Sequence, residues 1–250
     1  MPEAETVPGF PWRNIRSTGK IASRKVKTLI KLDEIERALS LERFNRYVEW
    51  AAGDRSRALE LYTLNARLSE ALYISLQMLE VALRNRIHIV MTAVRHEQWF
   101  MDDGLLAVNH QRQQLSQAIA DIRDDGKPVT AGRIVAALTF SFWTSMVSPT
   151  YEQLWQTTLH RVARRENGKG LRRKDFSAPL KPIRTLRNRI AHHEPILQWN
   201  LPQHHANMLT LTGWLSPAAA AWVQATSRFD SVYPAERIVL NQPSGPISLE

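Results

Sequence analysis

From Ala58 to Leu83 the chain sets Ala58, Leu61, Leu64, Leu68, Leu72, Leu76, Leu79 and Leu83 at steps of three or four residues. Such steps follow one face of an α-helix, whereas a strand gathers every second residue on a face. Asp54 supplies a side-chain oxygen suited to capping this helix, which is predicted to run to near Arg95. A helix of that length with so continuous an apolar stripe has to be a central element with other helices laid against it.

The same periodicity organises most of what surrounds it. Val26, Leu29, Ile30, Leu32, Ile35 and Leu39 predict a helix ending near Ser40, and a second is predicted from Leu41 to Ala51, stopped by Gly53. A helix over Asn109 to Asp124 is broken by Asp124-Asp125-Gly126-Lys127-Pro128, after which Thr130 caps an apolar helix that Pro149 ends. Leu154, Trp155, Leu159 and Val162 share a side of a predicted helix from Tyr151 to Ala163. Ser177 is expected to cap a helix from Pro179 to about His193, with Pro182 tolerated in its first turn and Pro195 beyond its end. Helices near His204 to Leu215 and Pro217 to Thr226 follow. No segment alternates like a strand, so the fold class is all-α. The Pro- and Gly-containing stretch 1–20 lacks the apolar core of a signal peptide and is predicted to be a flexible tail. A single helical domain is expected over 21–240, with a second flexible tail over 241–250.

Charge and cysteine content narrow the function. The net charge is +9, and a single window holds a surplus of the same size. Between Arg161 and Ile190, eleven Lys or Arg, including Arg172, Arg173, Lys174, Lys181 and Arg189, stand against Glu166 and Asp175. A concentrated basic block attracts polyanions, with RNA the expected partner, although a solvated helix face has the same composition. There are no cysteines, which removes disulfides, thiolate metal sites and cysteine nucleophiles and fits a reducing cytoplasm. The most apolar run, Ile134 to Val147, is too short to span a bilayer and carries Thr139, Ser141, Thr144 and Ser145, so a soluble cytoplasmic protein with no membrane partner is expected.

At about 100° per residue, Arg184, Asn188 and His192 fall on one stripe of the predicted helix, with Arg187 on its flank. RNA cleavage through the 2′-hydroxyl requires a proton acceptor, donors for the phosphoryl oxygens and a proton for the leaving 5′-oxygen. Imidazole serves the proton transfers and guanidinium the oxygens. No carboxylate cluster suited to two metal ions accompanies these residues, so a reaction without metal or other cofactor is expected. His192, His193, Glu194, His204 and His205 lack the i, i+4 histidine pair of a helical metal site. Walker and dinucleotide-binding glycine patterns are absent, as is a serine elbow, which removes nucleotide hydrolysis and α/β-hydrolase chemistry. Phe140, Phe142 and Trp143 read as core, and Trp155, Trp199, Trp214 and Trp222 as core or dimer contacts. Leu83-Arg84-Asn85-Arg86-Ile87 recurs identically as Leu186-Arg187-Asn188-Arg189-Ile190, but the histidine spacing follows only the second copy.

Arg187-Asn188 followed by three residues and His192 resembles the Arg, polar residue, three-residue gap, His pattern of the HEPN superfamily, helical-bundle proteins many of which are ribonucleases. Leu79-Glu80-Val81-Ala82-Leu83-Arg84-Asn85, Ala137-Leu138-Thr139-Phe140-Ser141-Phe142-Trp143 and Leu186 to Pro195 occur in the order seen in Abi-like proteins, the abortive-infection branch of that superfamily. The similarity runs from about Leu29 to Trp214 and implies a HEPN-type helical bundle with additional helices. It further implies a homodimer with the active site at its interface, endoribonuclease activity, and a role in phage defence or toxin-type growth inhibition. Arg187, Asn188 and His192 match the family's catalytic positions. His193, Glu80 and Arg184 are possible auxiliaries, Glu80 by its place on an earlier helix. An antitoxin or regulatory protein is a possible partner. The alternative class is a catalytically silent RNA-binding or protein-interaction module with the same fold.

Overall fold

The computed structural model describes residues 32–39 and 41–241. The expected N-terminal tail and the contributions of Val26, Leu29 and Ile30 lie outside the described residues, as does the C-terminal tail beyond Asn241. Every regular element among the described residues is helical, as the periodicity requires.

Helices α1 (Leu32–Leu39) and α2 (Leu41–Trp50) lead into α3 (Arg55–Val94), the predicted long helix. At 40 residues it extends roughly 60 Å. The Asp54 side chain accepts a hydrogen bond from Arg57 N at 3.0 Å, satisfying one of the free amides of the first turn. Leu61, Leu68, Leu72, Leu79, Leu83 and Ile87 on its apolar face are fully covered. Helices α4 (Asn109–Asp124), α5 (Ala131–Ala137) and α6 (Phe140–Ser145) follow, then short helical turns around α7 (Glu152–Thr157). Next come α8 (Arg173–Ser177), α9 (Leu180–Ala191), α10 (Leu201–Leu215), α11 (Pro217–Thr226) and α12 (Phe229–Val232). Helices α2, α6, α10, α11 and α12 all pack on α3, and the buried apolar side chains from Phe44 to Phe229 form one continuous cluster. No helix among the described residues is long and apolar enough to cross a membrane.

Three boundaries differ from expectation. The helix predicted between Thr130 and Pro149 is two helices: Thr130 caps α5, but the chain turns extended at Leu138 and Thr139 before α6 begins. The break lets Phe140, Phe142 and Trp143 turn inward together, and the Trp143 indole donates to the Leu138 carbonyl that continued helix would have used. The helix predicted from Tyr151 to Ala163 is likewise split, α7 being flanked by 3₁₀ turns at Pro149–Tyr151 and Leu159–Arg161. Ser177 closes α8 instead of capping the next helix; α9 begins at Leu180 behind Pro179 with no side-chain cap.

A buried polar chain fixes α6 against α4. The Tyr151 hydroxyl donates to Gln111 Oε1 at 2.6 Å and accepts from Ala107 N, while Gln111 Nε2 donates to Phe142 O at 3.0 Å. Each of these groups would be costly to bury alone. Because α9 packs on α6, α8 and α10, this chain indirectly sets where α9 stands.

Candidate functional site

Helix α9 is held by Leu180, Ile183 and Leu186, which are buried; Arg184 and Arg187 are partly exposed, and Asn188 and Ala191 are exposed. The helix ends earlier than predicted. Ala191 is its last residue, His192 is the cap with its N–H on Asn188 O at 2.9 Å, and His193 takes the left-handed conformation at φ 57°. His193 N donates to Ile190 O and Glu194 N to Arg189 O, the paired closure in which a glycine is usual at the left-handed position. A histidine there carries strain of order 1 kcal/mol that the surroundings must hold in place.

Two residues hold it. Arg189 turns back to donate to Pro195 O at 3.2 Å, pairs with Glu194 at 3.4 Å and lies over the Trp199 ring at 5.8 Å. From α3, the buried Asn65 accepts from Ile196 N at 2.7 Å and donates toward Glu194 O at 3.5 Å. The turn carrying His192 and His193 is thus pinned to the central helix by an amide 131 positions away in sequence. Asn65 was not singled out in the sequence, yet it sits one helical turn from both Leu61 and Leu68 on the apolar stripe. A polar side chain in that position must find a partner.

Arg187 and Glu80 meet across a groove between α3 and α9, Arg187 Nε lying 3.6 Å from Glu80 Oε2, with the side chains 39% and 21% exposed. Glu80 therefore reaches the other helix, although Arg84 is one turn away on its own. Tyr73, Leu76, Gln77, Val81, Arg84, Ile190 and Ala191 complete the walls of this groove, whose volume is about 320 Å³. Asn188, His192 and His193 are exposed and lie outside that lining. Arg184 instead turns toward α6, donating to Thr144 Oγ1 at 3.3 Å. The structure thus brings Arg187 and Glu80 together, leaves Asn188 and His192 exposed outside the groove lining, and takes Arg184 toward α6.

The expected RNA-binding residues divide. Arg173 is only 12% exposed on its side chain and is consumed internally by Glu152, Val147 O and Ser177 Oγ. Its guanidinium holds the Glu152 carboxyl below the usual carboxylate range. Arg172 pairs with Asp175, whose carboxyl is lowered by that bond and by nearby Arg165 and Lys174. Arg189 serves the turn. Lys174 and Lys181 are exposed and their side chains make no hydrogen bond or ion pair among the described residues, and the same holds for Arg161 and Arg164 further back in the chain. The usable positive surface is therefore smaller than the basic block suggests, because several of its members are structural.

Among the described residues no three His, Asp or Glu converge in the way that would hold a metal ion. Compared with family models, curated proteins and solved structures, the chain matches none of them.

Proposed function

We propose that this protein is an endoribonuclease that cleaves RNA through the 2′-hydroxyl at the end of α9, acting in phage defence or as a toxin-type growth inhibitor. The observation that supports this reading is the Arg187–Glu80 pair in the groove between α3 and α9, with Asn188 and His192 exposed at the same end of α9. In this reaction His192 takes the proton of the 2′-hydroxyl as its oxygen bonds to phosphorus. The bond to the 5′-oxygen breaks, and that oxygen leaves with a proton. The products are a 2′,3′-cyclic phosphate and a 5′-hydroxyl. Arg187 donates to the nonbridging oxygens as their charge grows, and Asn188 adds an amide donor on the same exposed side.

Attacking and leaving oxygens lie on opposite sides of phosphorus, so one imidazole is poorly placed to serve both. The second proton carrier is His193 or the same histidine of a second copy. A homodimer joined over the exposed end of α9 would supply the latter. His192→Ala and Arg187→Ala test the reading. Each is expected to lower the cleavage rate of a labelled RNA by at least about a hundredfold, the scale of a lost general acid or base, while RNA binding changes little for His192→Ala. Cleavage by His192→Ala at the wild-type rate would overturn the assignment. Binding without any cleavage by the wild type would favour the silent RNA-binding module.

A further inference from the structure

The groove between α3 and α9 contains more than the proposed chemistry uses. Tyr73, Gln77, Glu80 and Arg84 follow one another along the exposed side of α3 at helical spacing, spanning roughly 16 Å at 1.5 Å per residue. Tyr73 is 61% exposed, an unusual state for an aromatic side chain on the central helix of the fold. Arg84, at the other end, reaches only the Ala136 carbonyl at 3.5 Å, and its Nε has no hydrogen-bond partner. Glu80 faces Arg187, so Arg84 leaves the groove with an unbalanced positive charge. The terminal nitrogens of this half-buried guanidinium, with one long bond between them, are charged donors suited to an anionic oxygen. An open aromatic face in the same trough calls for a flat partner.

We propose that this groove is the binding track for single-stranded RNA, with a base stacked on Tyr73 and backbone phosphates on Arg84 and Arg187. The proposal rests on the ribonuclease reading for the direction of the strand, because Tyr73 lies toward the Ala191 end, next to the turn that carries His192, and Arg84 lies beyond Arg187. Asn65, two turns before Tyr73 on α3, contacts the segment just after that turn, which fixes the relative direction of the two helices. A base on Tyr73 therefore sits beside the proposed scissile phosphate, and the strand continues toward Arg84. Duplex RNA, whose bases are paired and stacked inside, has no free base for Tyr73 and is excluded as the ligand.

Binding of a fluorescent oligoribonucleotide with 2′-O-methyl sugars, which cannot be cleaved through the 2′-oxygen, tests this by anisotropy on the full chain. Tyr73→Ala is expected to weaken binding by roughly tenfold or more, the scale of one lost base-stacking contact, and Tyr73→Phe to bind as the wild type does. Arg84→Gln is expected to weaken binding and flatten its salt dependence by about one unit of slope. Circular dichroism on each variant reports whether it is folded. Equal affinity for wild type and Tyr73→Ala would overturn the proposal, as would equal competition by duplex RNA. So would a dimer that Tyr73→Ala dissociates without altering RNA binding, since a second copy would then cover the groove. Cleavage that persists with Tyr73→Ala binding unchanged removes this track but leaves the ribonuclease reading. Tyr73-dependent binding with no cleavage does the reverse.

Discussion

Replacing Asn65 by Leu tests whether the turn after α9 is held from the central helix. Asn65 and Leu are close in size, so packing against Leu61 and Leu68 changes little. The substitution removes the acceptor for Ile196 N, a bond of 2.7 Å inside the fold, and the donor toward Glu194 O. Ile196 is fully buried, so water cannot replace the lost partner without opening the turn. Leaving such an amide unsatisfied costs about 1–3 kcal/mol. At about 2–4 °C per kcal/mol for a fold of this size, Asn65→Leu should lower the melting temperature by roughly 4–8 °C if the cost is near 2 kcal/mol. The assay is thermal unfolding followed by far-UV circular dichroism, with hydrogen exchange at the Ile196 amide measured in parallel. Exchange there should accelerate more than at amides in α10. Gln77→Leu, an exposed change on the same helix, should stay within about 0.5 kcal/mol of wild type. An Asn65→Leu protein that melts with the wild type and keeps its Ile196 amide protected would refute the pinning of this turn.

Phe142→Ala should lower stability by about 3–5 kcal/mol, because Phe142 is fully buried in edge contact with Trp143; the urea midpoint measures it, and a loss under 1 kcal/mol would contradict its place in the core. His205 is buried against Phe229 and its pKa is lowered by loss of water around the ring. The unfolded chain therefore binds this proton more readily than the folded one. The contribution is whole above the unfolded value of about 6.5 and is lost as pH falls below it. Melting temperature should consequently fall between pH 7.5 and pH 5.5, and the fall should be smaller in His205→Gln; an equal fall in both would remove His205 as the cause. Lys174→Ala and Lys181→Ala should each reduce the salt slope of RNA binding by about one, while Arg173→Ala, internally committed, should act through stability and leave the slope unchanged.

The elements whose sequence carries a long repeat were legible in advance. The leucine stripe and Asp54 cap of α3 gave its extent to within a residue, since a stripe kept from Ala58 to Leu83 leaves a helix no competing alternative. The split of α5 from α6 was not legible, because Leu138 and Thr139 carry no breaking residue; the break goes with the Trp143 indole taking the Leu138 carbonyl, a tertiary contact. At the candidate site, spacing points to Arg184, Asn188 and His192 on one stripe, and the resemblance points to Arg187; the fold turns Arg184 to Thr144 and pairs Arg187 with Glu80, contacts that spacing within one helix does not encode. The left-handed turn at His193 was not legible either, since glycine is the usual signal for it and none is present. The basic block overstated the free charge for a related reason: composition counts Arg173 and Arg189, while the fold turns both onto carbonyls of its own chain.

The most direct test of the central claim is the 3′ end left on RNA after incubation with the wild-type protein in excess chelator. The proposed chemistry, carried by His192 and Arg187 without a metal ion, predicts cleavage at an undiminished rate and fragments ending in a 2′,3′-cyclic phosphate. Abolition of cleavage by the chelator, or fragments ending in a 3′-hydroxyl, would contradict it.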